Sequence, residues 1–373
     1  MRINKQITLL KKLVKINSIS GKENELSQYI FNWLKKKNIK TVRQNGNVLI
    51  LIKGKDRQKA LIFNGHMDTV PPGDRKKWQY GPFMPTLVGN KLYGLGASDM
   101  KASLASMMGL SIILAKHKPA CDVWFSFVTK EEIDGSGTKS FLNWFKKKGF
   151  LGKYQEMAAI IGEPTGLKEI ELGHKGNAFV KVVLFGQSGH GSRPEEIKKH
   201  AILEMYKLIS KLEKKKTVWQ KKYKDDYLGI PTASITGIKS GLFKCPNKFP
   251  DNCKAQFDFR TTPKFHKNIE GEIRSWLDSS GAEFSFAATP APFGWCDPKE
   301  KIVKVVKWII PNLKLTVSRG ASDQCFFTQA GIPAVIFGPG EKSVCHKENE
   351  WVEVDQLDKA VKFYQLIINK FGK

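Results

Sequence analysis

The chain has few cysteines and no closely spaced cysteine pair. Its six cysteines stand at positions 121, 245, 253, 296, 325 and 345. This spacing argues against a zinc ribbon and against a thioredoxin-type redox centre, because both need a Cys-x-x-Cys pair. The pattern is typical of reduced thiols in a cytoplasmic protein.

The chain also lacks a long apolar run. No segment approaches the roughly 20 apolar residues that a membrane-spanning helix needs. The first residues, Met1-Arg-Ile-Asn-Lys-Gln, carry charge but none of the apolar stretch of a secretory signal. We therefore expect a cytoplasmic protein with no membrane partner.

Arginine is scarce although the chain is strongly basic. The formal net charge is +27, yet only eight of the 62 basic residues are arginine. Arginine is the side chain that grips phosphate and guanine with two hydrogen bonds, and the lysines are scattered rather than gathered in one stripe. The composition therefore disfavours a specific nucleic-acid partner, although a positive field would steer anionic substrates toward the protein.

The signatures of three common classes of enzyme are missing. No Gly-Lys pair is followed by Ser or Thr, so there is no phosphate-binding Walker A loop. The Gly-Leu-Gly at 94–96 lacks the third glycine of the dinucleotide-binding fingerprint. No Gly-x-Ser-x-Gly nucleophile elbow occurs either, which disfavours a serine hydrolase of that type.

What the chain does contain is an alternation of strand-length apolar runs with helical stretches. A length of 373 residues predicts two domains, and the alternation predicts an α/β domain with a mostly parallel central sheet. The strand candidates are Val48–Ile52, Ala60–Asn64, Val123–Thr129, Ala158–Ile161 and Ala334–Phe337. The helix candidates are Lys101–Lys116, Gly137–Lys148 and Lys301–Ile310.

Two further helices are predicted before the first strand. Apolar residues recur at helical spacing at Ile3, Ile7, Leu10 and Val14. Ser20 precedes Glu23 by three residues, which predicts a capping box at the start of the second helix.

Between residues 176 and 288 the pattern changes. It predicts an α+β, ferredoxin-like sheet of four strands with two helices. The strands are Ala178–Phe185, Thr232–Lys239, Lys254–Arg260 and Glu283–Ala287, and the helices are Glu195–Lys214 and Lys267–Asp278. We therefore expect a catalytic domain formed by residues 1–175 and 289–373, with a second domain, 176–288, inserted into it.

Six polar residues follow apolar runs or stand in glycine-rich turns. They are His66, Asp99, Glu131, Glu132, Glu163 and His346. Four of them come directly after three separate predicted strands. Because open α/β sheets carry their sites beyond the carboxyl ends of the strands, these side chains are expected to meet at one edge. Imidazole and carboxylate groups together are typical metal ligands.

Asp68 is a candidate partner of His66. Residues i and i+2 of a strand-like segment face the same way, so the Asp68 carboxylate could accept the second ring N–H of His66. Such a contact fixes the tautomer of a metal-bound histidine. A solvated His-Asp pair in a turn is the alternative.

The motifs around these residues resemble the M20 metallopeptidase family over essentially the whole chain. They read Asn-Gly-His66-Met-Asp68, Gly-Ala-Ser-Asp99-Met-Lys, Lys-Glu131-Glu132-Ile-Asp-Gly, Gly-Glu163-Pro-Thr and Cys-His346-Lys-Glu-Asn-Glu. The resemblance implies a zinc-exopeptidase-like catalytic domain. It also implies that the inserted domain is a lid that forms a homodimer.

The resemblance assigns a role to each residue. Asp99 would bridge two Zn²⁺ ions per subunit, for which Co²⁺ or Mn²⁺ could substitute. One ion would be held by His66, Asp99 and Glu163, and the other by Asp99, Glu132 and His346. Glu131 would be the general base, with Asp68 supporting the site. The alternatives are a helix cap for Asp99 and a plain charged loop for the two glutamates.

Three more residues match substrate contacts of the family. His190 would polarise the scissile carbonyl in the partner subunit's site, Arg260 would bind the substrate carboxylate, and Ser322, next to Asp323, would line the pocket. A turn residue for His190 and an ion-pair partner for Arg260 are the alternatives.

The resemblance implies hydrolysis of an N-acyl amino acid or small peptide. The motifs are most similar to the succinyl-diaminopimelate desuccinylase and acetylornithine deacetylase branch, which implies a role in lysine or arginine biosynthesis. A carboxypeptidase or dipeptidase remains an alternative, as does a non-catalytic binding protein.

Overall fold

A computed structural model describes residues 5–318 and 320–373 of the chain. The predicted helix residue Ile3 lies outside the described residues. The chain divides into two compact units. The first contains the described residues of Met1–Gly173, Gly294–Ser318 and Ser322–Lys373, and the second contains those of His174–Phe293 and Arg319–Ala321. We call them, after the domains expected from the sequence, the catalytic unit and the inserted unit.

Helices and strands alternate along the first segment of the catalytic unit. The helices are α1 (Lys5–Lys15), α2 (Asn24–Lys35), α3 (Ala102–Lys116), α4 (Ser136–Lys147) and α5 (Phe150–Lys153). The strands are β1 (Thr41–Gln44), β2 (Asn47–Ile52), β3 (Asp56–His66), β4 (Thr86–Val88), β5 (Lys91–Tyr93), β6 (Cys121–Val128), β7 (Glu156–Ile161) and β8 (Glu169–His174).

The inserted unit has a β-α-β-β-α-β core. Its elements are β9 (Gly176–Phe185), β10 (Gly189–His190), α6 (Ala201–Lys222), β11 (Thr232–Ser240), β12 (Lys248–Phe249), β13 (Asn252–Thr261), α7 (Pro263–Leu277) and β14 (Glu283–Phe286). Four strands form an antiparallel sheet in the order β11-β13-β9-β14, which is the ferredoxin-like order. Alternate residues of β9 pack against both helices in one apolar core, so the unit has a core of its own.

The chain then returns to the catalytic unit. Its last elements are β15 (Gly294–Trp295), α8 (Lys301–Ile309), β16 (Lys314–Ser318), α9 (Gln324–Gln329), β17 (Ala334–Ile336), β18 (Trp351–Glu353) and α10 (Asp355–Phe371). A search of the described helices finds none with the length and apolar character needed to cross a membrane.

The central sheet of the catalytic unit has the order β1-β2-β6-β3-β7-β17-β8-β15, with β16 paired to β8. Its middle strands β6, β3, β7 and β17 are parallel, while β1, β2 and β8 pair in the antiparallel sense. A smaller sheet contains β4, β5 and β18. The prediction of an α/β fold with a mostly parallel central sheet is confirmed.

The apolar runs of the middle strands cover both faces of the sheet. In β3, Leu61 and Phe63 belong to the core that α1, α3 and α10 share. The alternate residues Ala60 and Ile62 belong to a second core with α4 and α9. Because successive side chains of a strand point to opposite faces, a strand covered on both sides is apolar at every position.

The register of the parallel strands brings their carboxyl ends together. His66, the last residue of β3, is paired with Val128, the last residue of β6. Asn64 of β3 is paired with Ile161, the last residue of β7. The residues that follow these strands therefore leave the sheet at one edge.

Two local predictions were wrong. The long helix of the inserted unit begins at Ala201 rather than at 195, because Pro194–Glu196 forms a separate 3-10 turn and the His200 side chain caps the helix. Ser20 makes no capping box: its hydroxyl donates to the Asp68 carboxylate at 2.8 Å instead.

Candidate metal centre

His66 stands at the end of β3 with a side chain that is only 1% exposed. Its Nε2 lies 3.0 Å from Asp99 Oδ1 and 3.4 Å from Glu163 Oε1. Burial alone would lower the pKa of His66, but the carboxylates of Glu163 and Asp99 outweigh it and raise that pKa well above its usual value. The strand end thus delivers an imidazole nitrogen between two carboxylates.

Asp68 contacts His66 differently from the prediction. The ring Nδ1 of His66 lies 3.0 Å from the backbone carbonyl of Asp68, whereas the nearer carboxylate oxygen is 3.6 Å away. The carboxylate accepts hydrogen bonds from the backbone N–H groups of Glu131 and Glu132, at 3.1 Å each. Because buried polar groups are almost always hydrogen-bonded, the Asp68 carboxylate and these two amides satisfy one another. Asp68 therefore orients the two glutamates, and its carbonyl orients His66.

Asp99 lies between the two candidate histidines. Its Oδ1 faces His66 Nε2 at 3.0 Å, and its Oδ2 lies 3.4 Å from His346 Nε2. The residue is in a non-helical conformation just before α3, and its peptide bond to Met100 is cis. One carboxylate therefore presents a different oxygen to each imidazole.

His346 reaches the site from the loop before β18. Its Nε2 lies 3.1 Å from Glu132 Oε2, and its side chain is 53% exposed. His346 has a φ of 60°, in the left-handed region that most residues avoid. This turn is part of what places the imidazole opposite Asp99.

Glu131 and Glu163 complete the cluster. Ligand atoms of His66, Glu131 and Glu163 lie within 4.8 Å of one another, as do those of His66, Asp99 and Glu132. The first group differs from the implied ligand sets, because it includes the residue that the resemblance makes the base. Burial and the Glu163 carboxylate raise the pKa of Glu131 well above its usual range. Burial and Asp99 likewise raise the pKa of Glu163 to about 7.

The donor set fits divalent cations. Four carboxylates and two imidazoles face one another. Among the described residues the buried Oε1 of Glu163 has no hydrogen-bond partner, and the His66 Nε2 near it lies 3.4 Å away. Packing carboxylates together out of water is costly unless a positive charge compensates them. Oxygen and imidazole nitrogen donors suit zinc, cobalt or manganese.

Glu350 was missed as a functional residue by the sequence argument. It is 1% exposed, and its carboxylate accepts hydrogen bonds from the backbone N–H groups of the loop that carries Asp99. Burial and Asp99 raise the pKa of Glu350 to about 8, while the backbone donors work against that rise. Its only signal in the sequence was its position, four residues after His346.

The inserted unit holds two of the three predicted substrate contacts, His190 and Arg260. His190 is exposed in the short strand β10, and its Nδ1 lies 2.7 Å from Ser192 Oγ. Arg260 forms an ion pair with Asp258 two residues earlier in β13, with Nε 2.9 Å from Oδ1. The structure thus shows the ion-pair partner that was the alternative for Arg260, and the pair is half-buried.

Ser322 and Asp323 are buried at the start of α9. The Ser322 hydroxyl accepts a hydrogen bond from the backbone N–H of Gln324 at 3.3 Å. Asp323 accepts from Thr138 Oγ1 at 2.7 Å and from Asn64 Nδ2 at 3.3 Å. Ser322 therefore contributes to the start of the helix, and Asp323 joins the helix to α4 and β3. The pocket-lining role of Ser322 stays a prediction.

The sequence matches the family model described as peptidase family M20/M25/M40 over residues 62–370. An acetylornithine deacetylase of Buchnera aphidicola is 28% identical, covering 98% of this chain and 97% of the relative. A succinyl-diaminopimelate desuccinylase of Blochmanniella floridana is also 28% identical, covering 99% of both chains.

Solved structures share the fold. An M20 family metallo-carboxypeptidase from Sulfolobus solfataricus superposes with a TM-score of 0.80 at 21% identity. The match covers 99% of this chain and all of the other. At this level of identity the likeness establishes the architecture.

Proposed function

Because this chain belongs to peptidase family M20/M25/M40, we propose that it is a metal-dependent hydrolase that removes an acyl group from an N-acyl amino acid. Membership makes it a hydrolase of amide bonds. We propose two features beyond family membership. The protein would bind a pair of cations that share Asp99, and its substrate would carry a free carboxylate.

The arrangement of Asp99 carries the proposal of two cations. Its two oxygens face different imidazoles, at 3.0 Å and 3.4 Å, so one carboxylate can serve two ions. A pair of cations needs such a shared anion to offset their repulsion. One ion would be held by His66, Asp99 and Glu163, and the other by Asp99, Glu132 and His346. Zinc suits these donors, with Co²⁺ or Mn²⁺ as substitutes.

Glu131 is the proposed proton carrier. Cations bound here would polarise the scissile carbonyl and lower the pKa of the attacking water. Glu131 would take the proton from that water and pass it to the leaving amine, a task that suits a carboxyl whose pKa is raised well above its usual range. The hydrogen bond from its own backbone N–H to Asp68 would hold this residue in place.

The relatives support an N-acyl amino acid as substrate. One is named acetylornithine deacetylase and another succinyl-diaminopimelate desuccinylase. Arg260 is our candidate for the substrate carboxylate, since its guanidinium already binds a carboxylate, that of Asp258, in β13. The net charge of +27 would favour the approach of such anions. A carboxypeptidase or dipeptidase would use the same cations with a different pocket.

The inserted unit is proposed to act as a lid and to form a homodimer. His190 is distant in sequence from all six candidate ligands and is exposed, so it is available to a substrate. It would polarise the scissile carbonyl from the partner subunit. Closing such a lid would exclude water from the reaction.

Substrate screening of the full chain tests the proposal. Protein stripped with a chelator and then loaded with Zn²⁺ would be assayed against N-succinyl-diaminopimelate, N-acetylornithine and several dipeptides. We expect hydrolysis of an N-acyl amino acid that disappears on chelation and in Glu131→Gln. Activity on dipeptides alone would favour the peptidase alternative. Equal activity of stripped and loaded protein would refute metal dependence.

A further inference from the structure

A single buried carboxylate fixes the backbone of the loop that carries Asp99. Glu350 Oε1 accepts the backbone N–H of Ser98 at 2.7 Å and that of Asp99 at 2.9 Å. Its Oε2 accepts the N–H of Gly96 at 2.7 Å. The Glu350 carbonyl accepts a fourth N–H, that of Gly94, at 2.9 Å. One residue therefore binds four of the amides between 94 and 99.

The loop needs this support because it cannot form regular structure. Gly96 has a φ of 74°, and a Cβ at that position would come within 2.6 Å of Thr69 Cγ2. Asp99 interrupts the short helical segment Ala97–Lys101 with an extended backbone. Amides in such a loop lack the partners that a helix or a sheet supplies, and burying them unpaired would be costly.

The hydrogen bond to the Asp99 amide links the anchor to the site directly. Asp99 must direct its two oxygens at two different imidazoles, so a small rotation of its backbone would spoil both distances at once. Glu350 also lies four residues after His346. The segment that presents the His346 imidazole therefore also contains Glu350, which holds the backbone of Asp99.

We propose that Glu350 is a positioning residue for the bridging carboxylate, setting the cation affinity of both sites through the Asp99 loop. This inference rests on the proposed pair of cations. Groups that orient metal ligands in this way change metal affinity by about 10- to 100-fold when they are replaced. The acceptor role does not depend on charge alone, since a protonated carboxyl keeps lone pairs on both oxygens.

Cation affinity of the folded protein tests the proposal. Metal-free Glu350→Gln would be titrated with Co²⁺, followed by visible absorption, and with Zn²⁺ in competition with a chelator. Glutamine keeps one accepting oxygen, but its N–H₂ group cannot accept a hydrogen bond. At least one backbone N–H of the loop would therefore face another donor. We expect cation affinity to fall about 10-fold or more. Glu350→Asp, which withdraws both oxygens by one methylene, should lower it further.

Glu353→Gln is the matched control. It makes the same chemical change three residues later, on a carboxylate that accepts from Gln356, and should bind cations like wild type. Unfolding curves of the metal-free variants separate positioning from stability, because a purely structural role would lower the melting temperature and leave affinity unchanged. If Glu350→Gln does not fold, Glu350→Asp decides the matter.

The result that would refute this inference alone differs from the result that would refute the proposed function. A wild-type protein that binds no cation would refute the proposed function and this inference with it. Tight binding by wild type with both Glu350 variants within twofold of it would overturn the positioning role alone.

Discussion

Replacing Asp68 by asparagine would test how the proposed base is held. The carboxylate of Asp68 is fully buried and accepts three hydrogen bonds. The Glu131 amide donates to Oδ1 at 3.1 Å, while the Glu132 amide and the Ser20 hydroxyl donate to Oδ2 at 3.1 Å and 2.8 Å. Asparagine has the same shape but only one accepting oxygen.

The structure indicates which contact Asp68→Asn loses. The single oxygen of asparagine serves best at the Oδ2 position, where it keeps two donors. The N–H₂ group then faces the amide of Glu131. A buried donor left without an acceptor costs about 1–3 kcal/mol. If this cost falls on the transition state, kcat/KM drops by about 5- to 150-fold, since each 1.4 kcal/mol is a factor of ten.

The assay is steady-state hydrolysis of the best substrate by zinc-loaded protein, with metal content measured on the same sample. Asp68→Asn should keep its cations, because the His66 ring is held by the Asp68 carbonyl and not by the carboxylate. Ser20→Ala is the control, since it removes one hydroxyl and leaves both glutamate amides paired. The kcat/KM of Ser20→Ala should fall by about tenfold or less, because a single hydrogen bond contributes about 0.5–1.5 kcal/mol.

An Asp68→Asn variant with kcat/KM within twofold of wild type would refute this role of the Asp68 carboxylate. A variant as slow as predicted but depleted of cations would also count against it, because the carboxylate would then be supporting the ligands and not the base.

Three further predictions follow from the same structure. Glu131→Gln should keep its cations and lose several orders of magnitude in kcat, whereas Glu132→Gln should lose one cation; metal analysis beside kinetics separates them. Mixed dimers of His190→Ala with Glu131→Gln should regain activity that neither has alone, and their failure to do so would contradict the lid acting across a dimer. In the inserted unit, burial would raise the pKa of Glu272, but donors from Lys222, Tyr223 and Trp219 lower it. Ionised Glu272 therefore stabilises the folded protein above the pKa that it has in the unfolded chain, and this stabilisation is lost as pH falls through its lower pKa in the folded protein. The difference in melting temperature between wild type and Glu272→Gln should accordingly shrink on acidification.

The catalytic fold was predictable because its strands are apolar on both faces. Apolar runs such as Val123–Thr129 predict buried strands, and the structure has this strand at Cys121–Val128. Three such strands end beside polar residues, so the convergence of His66, Glu131 and Glu163 could be expected from the sequence alone. The parallel pairing of these strands brings the residues together, because it aligns the carboxyl ends of neighbouring strands.

Contacts from distant parts of the chain were not predictable in this way. The Ser20–Glu23 spacing fits a capping box, yet Ser20 donates to Asp68, 48 residues away. Glu350 binds amides some 250 residues earlier, which no local pattern encodes. Local spacing reports on neighbours within a helix turn or strand, whereas these hydrogen bonds depend on how the loops pack at the edge of the sheet.

Helix α10 was missed although its buried residues Leu357, Val361, Tyr364 and Ile368 recur at helical spacing, which is a local signal. Tyr364 and Ile368 pack into the core beside β3, but the segment Asp355–Phe371 was not predicted as a helix. Its place on the sheet is set by tertiary packing with α3 and α8. The candidate substrate contacts in the inserted unit remain predictions for a related reason, since substrate and partner subunit would define them.

Cation stoichiometry of wild type and Asp99→Asn tests the central claim most directly. Protein stripped of metal, reloaded with Zn²⁺ and freed of excess by dialysis would be analysed for zinc per chain. We expect two zinc ions per wild-type chain and less than one in Asp99→Asn, because a single carboxylate serves both ions. One ion or fewer in wild type, or two retained in Asp99→Asn, would contradict it.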